Sequence, residues 1–468
     1  MKLLKSTLLT TGIVTVTLIA GCVGHKPPPA IIHADNYTAE TLKDQQVLPP
    51  ANRVLGIKEA IRIGLTNNPT YKAKHLAIVK AWSTFYTQLA GYSPTLTASY
   101  GLNQTQNSAT PNPFSTVTST GSSGLAANWN VFNGLQTSMN MLAARADALS
   151  SEELDRDYRR QLINLITQGY NQILLQRAKI QIDLSNEMFQ KQQLRDSQLK
   201  YNAGAVSLSD LLSFKADMII AQDQVVKDVA SYKINRYSLA ALMGLTTSDL
   251  PEETQFPPIE VPESEEYSLA VEFYLDLAIV QRPDLKSSRL DLDSVRYLLY
   301  SSWGAFAPSV DLTMSYGYSR GTTQNWGGAG VTPRGQDLTY SYGANASWVL
   351  WQGGSRIANV RLAQANLGIS QESLMIKWIE VVQQVRQAYT SLIASMTSRK
   401  LLEAVMLVSK QRRDLVREEY NAGNTDITTL NQAQTTYVNA MSQHVSAVIG
   451  VSNSRANLDS ACGTNVIK

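Results

Sequence analysis

Four stretches of the chain alternate apolar and polar residues with a period of two. They are residues 95–103, 124–132, 310–318 and 340–350. One apolar face and one polar face at this period predict β-strands. Each stretch has about the 9–11 residues that a tilted strand needs to cross a bilayer. The pattern therefore predicts two antiparallel hairpins, with polar loops over residues 104–123 and 320–337.

These hairpin regions almost lack charge. Residues 81–144 contain no Asp, Glu, Lys, Arg or His, and residues 297–355 contain only Asp311, Arg320, Arg334 and Asp337 as charged residues. A hairpin that covers a water-soluble core would need charges on its outer face, so we interpret both hairpins as membrane strands. Aromatic residues near the predicted strand ends fit the interfacial girdle of an outer-membrane barrel. They are Tyr100, Trp129, Phe132, Tyr318, Tyr340, Trp348 and Trp351.

Four strands are too few to close a barrel, since bacterial examples have at least about eight. Open strand edges are not tolerated in lipid. We therefore expect several copies of the chain to complete one barrel together. Three copies would give about twelve strands, and closure by itself leaves two or four copies open.

Long helices are predicted after each hairpin. Apolar residues step by four and three from Leu135 to Leu149, and others recur every seven residues from Val360 to Val381, as in coiled coils. Residues 134–201 contain no proline, and a helix of that length would extend roughly 100 Å. A Tyr-Asn-Ala-Gly tetrapeptide follows in each case and predicts a turn, with Gly204 and Gly423 at the helix C-termini. Return helices are predicted over residues 208–244 and 428–463.

The chain is predicted to be a tandem repeat, because this tetrapeptide and Trp129 both recur 219 residues later. The fold class is an α+β membrane protein with four antiparallel strands and long coiled-coil helices. The predicted segments are a signal peptide (1–21), a lipid anchor with an extended segment (22–54), a first repeat with a hairpin at about 95–132 (55–244), a linker (245–267), a second repeat with a hairpin at about 309–351 (268–463) and a tail (464–468).

The N-terminus reads as a processing signal. Lys2 and Lys5 precede an apolar segment that is too short to span a bilayer as a helix. It ends in Ile-Ala-Gly-Cys, which resembles the lipobox of bacterial lipoproteins. The resemblance implies that Cys22 becomes the first mature residue and carries a diacylglycerol and an N-acyl chain, which together give stable anchoring. Val23 implies delivery to the outer membrane.

Composition argues against several functional classes. The 41 basic and 38 acidic residues nearly balance, unlike the basic footprint of nucleic-acid-binding proteins. The four histidines show no metal-ligand spacing, and the sequence contains no common catalytic or nucleotide-binding motif. We therefore expect no enzymatic activity, no metal, no nucleic-acid partner and no cofactor apart from the acyl chains at Cys22.

A lipobox, a repeated helix–hairpin–helix unit and long coiled coils together resemble the outer membrane factor (TolC) family. The local motifs are AIRIGLTNNP at 60–69, QRPDL at 281–285, the paired tetrapeptides and LNQAQ at 430–434. The likeness covers the chain from about residue 55. It implies a homotrimer in a Gram-negative outer membrane, with a twelve-stranded barrel above a periplasmic barrel of twelve helices. It also implies docking to a periplasmic adaptor and an inner-membrane pump, as the drug-passing channel of a tripartite efflux system.

The resemblance further implies a gate at the periplasmic tip, just after Gly423. The family's acidic constriction positions fall on Thr429 and Gln432, so this sequence departs from the family pattern. The other candidate gate residues are Asp210, Asp426, Arg417 and Tyr420. For each of these the alternative is a solvated turn residue. The implied adaptor-docking positions at the two turns are Tyr201, Gly204 and Gly423.

Two other functions stay open on the sequence. One is an outer membrane duct for type I protein secretion. The other is a structural coiled-coil lipoprotein without a pore. The transported substrates and the identities of adaptor and pump are also left open.

Overall fold

The structure is a computed structural model that describes residues 47, 54–108, 115–259, 270–325 and 331–464 of the 468-residue chain. Cys22 and the predicted signal peptide lie outside the described residues. In chain order, the helices and strands of the described part are α1 (Ile57–Asn67), α2 (Pro69–Leu89), β1 (Thr95–Ser108), β2 (Ser115–Asn133), α3 (Gln136–Asn202), α4 (Leu208–Leu242), α5 (Val271–Gln281), α6 (Pro283–Gly304), β3 (Ser309–Asn325), β4 (Val331–Ser347), α7 (Ser355–Asn421) and α8 (Ile427–Cys462).

The four strands form one antiparallel sheet in the order β1-β2-β3-β4, as the period-two pattern predicts. They are longer than expected, because β2 has 19 residues and β3 and β4 have 17 each. Most of residues 104–123 and 320–337 is therefore strand, and the prediction of loops there is wrong. These residues are rich in Ser, Thr and Gln, and their backbone groups continue the hairpin ladder although neither face is apolar.

The register between β2 and β3 contains a bulge. Asn130 pairs with Asp311 and Phe132 pairs with Val310, so Val131 is an extra residue. A one-residue shift moves a side chain to the other face of a sheet. The bulge therefore brings Phe132 into the row that the simple alternation assigned to Val131.

Each hairpin leads into a pair of long antiparallel helices. α3 and α7 are continuous over 67 residues each, as the heptad patterns predict. α3 packs between α4 and α8, and α8 packs between α3 and α7. Within the described ranges, no helix has both the length and the apolar character required to cross a membrane.

The largest apolar cluster lies where α1 packs against α3 and α4. Ile63 and Ile166 are fully buried in it, and Leu250 and Phe256 from the segment after α4 belong to the same cluster. Residues 245–259 are therefore part of the core rather than the extended linker that their prolines predicted. The apolar residues between the prolines have surface to bury, which outweighs the tendency of this composition to stay extended.

Two glycines allow backbones to approach closely at the ends of α4 and α8. A Cβ on Gly244 would lie 2.7 Å from Cα of Asn68, and one on Gly463 would lie 3.2 Å from the backbone N of Arg282. Both glycines also have φ near +75°, at 74° and 77°. Glycine therefore fixes how each return helix meets the junction between two short helices, α1–α2 or α5–α6.

Candidate functional site: sheet faces, open edges and helix-turn tips

The register gives the sheet one apolar and one polar face, since residues directly opposite each other point to the same side. One apolar row is Leu96, Ala127, Met314 and Tyr342, and the adjacent polar row is Thr97, Ala126, Ser315 and Ser341. In the polar row, the hydroxyls of Ser315 and Ser341 are hydrogen bonded at 2.6 Å. In the apolar row Tyr342 is 89% exposed. The described part of the chain thus leaves the apolar face uncovered.

The predicted girdle residues lie at two levels of this sheet. Tyr100 and Tyr318 share one row because both pair with Ser123. Tyr340 lies two residues along β4 from that row. The remaining aromatic residues lie toward the helix-proximal end, as Trp129, Phe132, Trp348 and Trp351. The last two follow β4, which ends at Ser347, short of the predicted hairpin end at 351.

Two of these tryptophans fix the junctions between strands and helices. The indole N–H of Trp129 donates to the carbonyl oxygen of Tyr92 at 2.8 Å. The indole N–H of Trp348 donates to the carbonyl oxygen of Phe306 at 3.0 Å. Each therefore pins the end of one strand to the segment that precedes its hairpin partner. A tryptophan with a partly exposed ring and a paired N–H is well suited to a membrane–water boundary.

The sheet and the row of long helices each have two outer members. β1 and β4 are the outer strands, and α4 and α7 are the outer helices. Apolar side chains spaced by seven residues are exposed on both outer helices. They are Leu212, Ile219 and Val226 on α4, and Leu401, Val408 and Leu415 on α7. An exposed heptad seam is typical of a helix that packs against a further helix.

The two helix turns share one backbone arrangement. Gly204 and Gly423 have φ of 74° and 79°. Each backbone N–H donates to the carbonyl of the tyrosine three residues earlier, Tyr201 at 2.9 Å or Tyr420 at 3.1 Å. This is the Schellman ending that the tetrapeptides predicted. A Cβ on either glycine would meet no atom within 4 Å, so both tips are open surface.

The two acidic gate candidates cap the return helices. The Asp210 carboxylate accepts the backbone N–H of Ser207 at 3.2 Å, and Ser207 Oγ accepts the N–H of Asp210 at 3.1 Å. This is a capping box. Asp426 accepts the backbone N–H of Thr429 at 2.8 Å, and hydrogen bonds from Thr429 hold the pKa of Asp426 below its usual value. Both acids thus have a local turn role within a single chain, and Thr429 takes part in one of these caps.

Arg417 and Tyr420 link the two helix pairs. The guanidinium of Arg417 lies 5.9 Å from the ring centroid of Phe189 on α3. Tyr420 meets Phe214 of α4 edge to face at 6.4 Å, and the amine of Lys200 lies 4.6 Å from the Tyr420 ring. Aromatic and cation–π contacts of this kind stabilise the junction by about 0.5–1.5 kcal/mol each. Sequence reasoning found Arg417 and Tyr420 but missed the buried Phe214.

Two amide hydrogen bonds extend this junction. Asn431 Nδ2 donates to Asp217 Oδ2 at 2.6 Å, and Gln434 Nε2 donates to Asn186 Oδ1 at 2.8 Å. Asn431 and Gln434 belong to the LNQAQ motif, and their spacing of three residues puts them on one side of α8. That spacing was the signal available in the sequence. Gln432 of the same motif is exposed and lies apart from these contacts.

An amphipathic sheet with two outer edges, continued by long paired helices, defines one subunit of an outer membrane channel. The family model described as "Outer membrane efflux protein" matches residues 61–245 and 274–464. The chain belongs to this outer membrane efflux protein family.

Individual relatives agree with this assignment. The chain is 27% identical over 309 residues to alkaline protease secretion protein AprF of Pseudomonas aeruginosa, covering 64% of this chain and 61% of AprF. It is 24% identical over 292 residues to outer membrane protein TolC of Escherichia coli, covering 58% of this chain and 55% of TolC. The matches thus span little more than half of each relative. The Campylobacter jejuni CmeC outer membrane channel has the same fold, with a TM-score of 0.77 over 94% of each chain at 18% identity.

Proposed function

We propose that the chain is one subunit of a homotrimeric outer membrane duct that passes drugs or other small toxic compounds in a tripartite efflux system. The observation that carries this proposal is the sheet, with an uncovered apolar face and two outer strands. Lipid would cover the apolar face, and neighbouring copies would pair the strand edges. Neither surface is compatible with a bilayer in any other way, because unpaired backbone groups are too costly in hydrocarbon.

Matching edges in the sheet and the helices support ring closure. β2 continues into α3 and β4 into α7, so β1 and α4 lie on one side and β4 and α7 on the other. Joining unlike edges of successive copies is a heterologous contact, which can close into a ring. Leu212 lies roughly 6 Å from the start of α4 and Leu415 roughly 9 Å from the end of α7, so the two exposed seams would face each other at similar height. Three copies would supply about twelve strands.

The aromatic residues support a membrane boundary at each end of the sheet. Trp348 follows ten residues after Leu338, which lies in the row of Tyr100 and Tyr318. At about 3.4 Å per residue and a strand tilt of about 40°, this separation is roughly 26 Å along the membrane normal. Outer-membrane barrels have an apolar band of about 25 Å. The girdle would thus match the thickness of the membrane.

The proposed location is the outer membrane of a Gram-negative bacterium, with the long helices in the periplasm. The proposed partners are a periplasmic adaptor and an inner-membrane pump. The exposed turns at Tyr201, Gly204 and Gly423 would receive the adaptor. Lipidation of Cys22 rests on its lipobox and would add an anchor beside the barrel.

The assembly is tested by disulfide cross-linking of the two exposed seams. Ile219→Cys and Val408→Cys introduce thiols on opposite outer helices, at similar distances from the turns. In outer membranes from cells that make the double variant, oxidation should give covalent dimers and trimers on non-reducing gels. Each single variant should stay monomeric and serves as the control. Cross-linked species larger than a trimer would contradict the proposed ring of three.

Transport is tested by deletion of the gene in a strain that also lacks any paralogue. We expect greater accumulation of a fluorescent efflux substrate, restored by the wild-type chain. Unchanged accumulation would rule out an efflux role.

A second candidate function, protein export, is supported by the similarity to AprF, whose name assigns it to alkaline protease secretion. Loss of an exported protein from the medium, with normal dye efflux, would favour this role. Absence of conductance in planar bilayers, even for an Asp210→Ala/Asp426→Ala variant, would instead favour a structural lipoprotein without a pore.

A further inference from the structure

A polar cavity of about 390 Å³ lies between α3, α4 and α8, within one subunit. α3 and α4 contribute the carboxyl groups of Asp183, Asp217 and Asp228 and the amine of Lys179, whereas α8 contributes neutral side chains. The cavity lies above the turns and apart from the capping acids Asp210 and Asp426. The proposed duct gives no role to these three buried acids.

Asp183 on α3 and Asp228 on α4 face each other in this cavity. Both residues are only 7% exposed, and their carboxyl groups are in hydrogen-bonding contact. Burial, followed by the hydrogen bond and negative charge of Asp228, raises the pKa of Asp183 to about 7, although Lys179 opposes the shift. Two buried carboxylates in contact are not both ionised unless a positive species lies between them. The pair must therefore hold a proton or a cation.

Unsatisfied amide oxygens distinguish these two possibilities. Gln190 lines the cavity and is 5% exposed, and its Oε1 has no hydrogen-bond partner among the described residues. Asn431 Oδ1 is likewise buried and unpartnered, while its Nδ2 binds Asp217. A shared proton would satisfy the carboxyl pair and leave both amide oxygens without a donor. A hydrated cation would supply water donors to them as well.

The charges of the lining match a divalent ion. With three carboxylates and a protonated Lys179, the cavity has a net charge of about −2. Carboxylate and amide oxygens are the ligands that Ca²⁺ prefers, and Ca²⁺ accepts irregular mixtures of protein oxygens and water. Across the described ranges, no three His, Cys, Asp or Glu side chains converge closely enough to hold an ion by themselves. Water would therefore have to complete the coordination shell.

We propose that this cavity binds one divalent, oxygen-preferring cation of the Ca²⁺ type. Asp183 and Asp228 ligate it directly, and Gln190 and Asn431 bind it through water. The ion replaces the proton that the carboxyl pair shares, and that proton is released to solvent. Since Asn431 belongs to α8, the bound ion ties α8 to the α3–α4 pair.

The chain itself offers a comparison for this site. The positions 219 residues after Asp183 and Asp228 are Leu402 and Ala447. Both are apolar, so the corresponding place between α7 and α8 lacks a carboxyl pair. An ion should therefore bind in the first half of the chain alone.

The test uses the purified full-length protein in detergent, stripped of metal ions, with Ca²⁺ as the probe. Isothermal titration calorimetry in two buffers of different ionisation enthalpy measures the affinity and the number of protons released per ion. We expect one saturable site per chain. Close to one proton should be released at about pH 6 and almost none at about pH 8, because the pair has by then lost its proton.

Two variants and one control locate the ion. Asp183→Asn keeps the size of the side chain and should weaken Ca²⁺ binding by at least about tenfold while abolishing proton release. Asp183→Leu/Asp228→Ala copies the residues at 402 and 447 and should abolish binding. Asp223→Asn is the control, because Asp223 is exposed on α4 and pairs with Lys227. This variant should bind Ca²⁺ as the wild type does.

Two results would overturn the proposal. The first is a wild-type protein that titrates near pH 7 but binds no Ca²⁺, which would show that the pair holds only a proton. The second is Ca²⁺ binding that Asp183→Asn and the double variant both retain. Circular dichroism of each variant checks that the helices are intact, and Asp183→Asn alone is decisive if the double variant misfolds.

Discussion

The first half of the described chain, residues 54–259, and the second half, residues 270–464, use the same helix crossing but hold it with different chemistry. In the first half the junction residue is Asn68, a neutral amide. Its Nδ2 donates to the carbonyl oxygen of Leu242 at 2.9 Å, and its Oδ1 accepts the N–H of Tyr71 at 3.0 Å. Asn68 thus caps α2 and binds the end of α4.

In the second half the same place is taken by Arg282, a buried cation that is 1% exposed. Its guanidinium donates to Asp284 at 2.6 and 2.9 Å, to Gln384 Oε1 at 2.8 Å and to the carbonyl oxygen of Ala461 at 3.2 Å. Burial alone would raise the pKa of Asp284, but the hydrogen bonds and charge of Arg282 hold it below its usual value.

The difference follows from the apolar surface around each junction. The first junction adjoins the large cluster that includes Leu250 and Phe256, whereas the second adjoins a smaller cluster around Val385 and Leu392. A buried arginine is tolerated there because Asp284 neutralises its charge and its donors are paired. One backbone path can therefore be held by apolar burial in one half and by a polar network in the other.

The largest contrast should come from the junction residues themselves. Arg282→Met leaves Asp284 and Gln384 without their donor and should cost about 3–5 kcal/mol of unfolding free energy. Asn68→Ala removes two hydrogen bonds and should cost about 1–2 kcal/mol. Urea unfolding of the detergent-purified protein, followed by circular dichroism, measures both. Equal costs would show that the two junctions are energetically alike.

The junction glycines should separate the halves in the opposite sense. Gly244→Ala places a Cβ against the backbone of Asn68 at positive φ and should cost roughly 2–4 kcal/mol. Gly463→Ala meets its neighbour at a longer distance and should cost about 1–2 kcal/mol. Thermal melting monitors the two variants side by side. A lower Tm for Gly463→Ala than for Gly244→Ala would contradict the geometry.

The halves should also respond differently to pH. The lowered pKa of Asp284 gives stability that is present above the ordinary carboxyl value of 3.8 and is lost as the pH falls below it. The pKa of Asp183 is raised to about 7, so the folded chain keeps a proton that the unfolded chain has released. Stability should therefore decrease as the pH rises from about 4 to 7.

These two pH effects are separated by urea midpoints measured in EDTA. Asp183→Asn should flatten the neutral part of the profile and leave the acidic part unchanged. Asp284→Asn should change the acidic part only. A neutral slope that persists in Asp183→Asn would assign it to another group.

The smallest contrast should come from the helix caps at the turns. Ser207→Ala removes the reciprocal bonds of a capping box, whereas Asp426→Ala removes a single-sided cap. Each should cost about 1 kcal/mol, with the larger effect for Ser207. Amide hydrogen exchange in the first turns of α4 and α8 measures the fraying directly. Unchanged exchange in α4 would mean that its start is held by other contacts.

Much of the local structure was determined by the sequence itself. Period-two alternation specified the four strands and their apolar sides, because strand side chains alternate between faces wherever the strand lies. Heptad spacing specified the long helices, and the paired tetrapeptides specified turns that need glycine at positive φ, at Gly204 and Gly423. These features depend on residues that are close together in the chain.

The tertiary structure decided what depends on residues far apart in the chain. It extended β2 to Ser115, introduced the bulge at Val131 and packed residues 245–259 into the core. It also brought Asp183 against Asp228 and buried Arg282. The local pattern around such residues matches that of an exposed helix or a loop. Their burial depends on the long-range partner that supplies a strand edge, an apolar surface or a compensating charge.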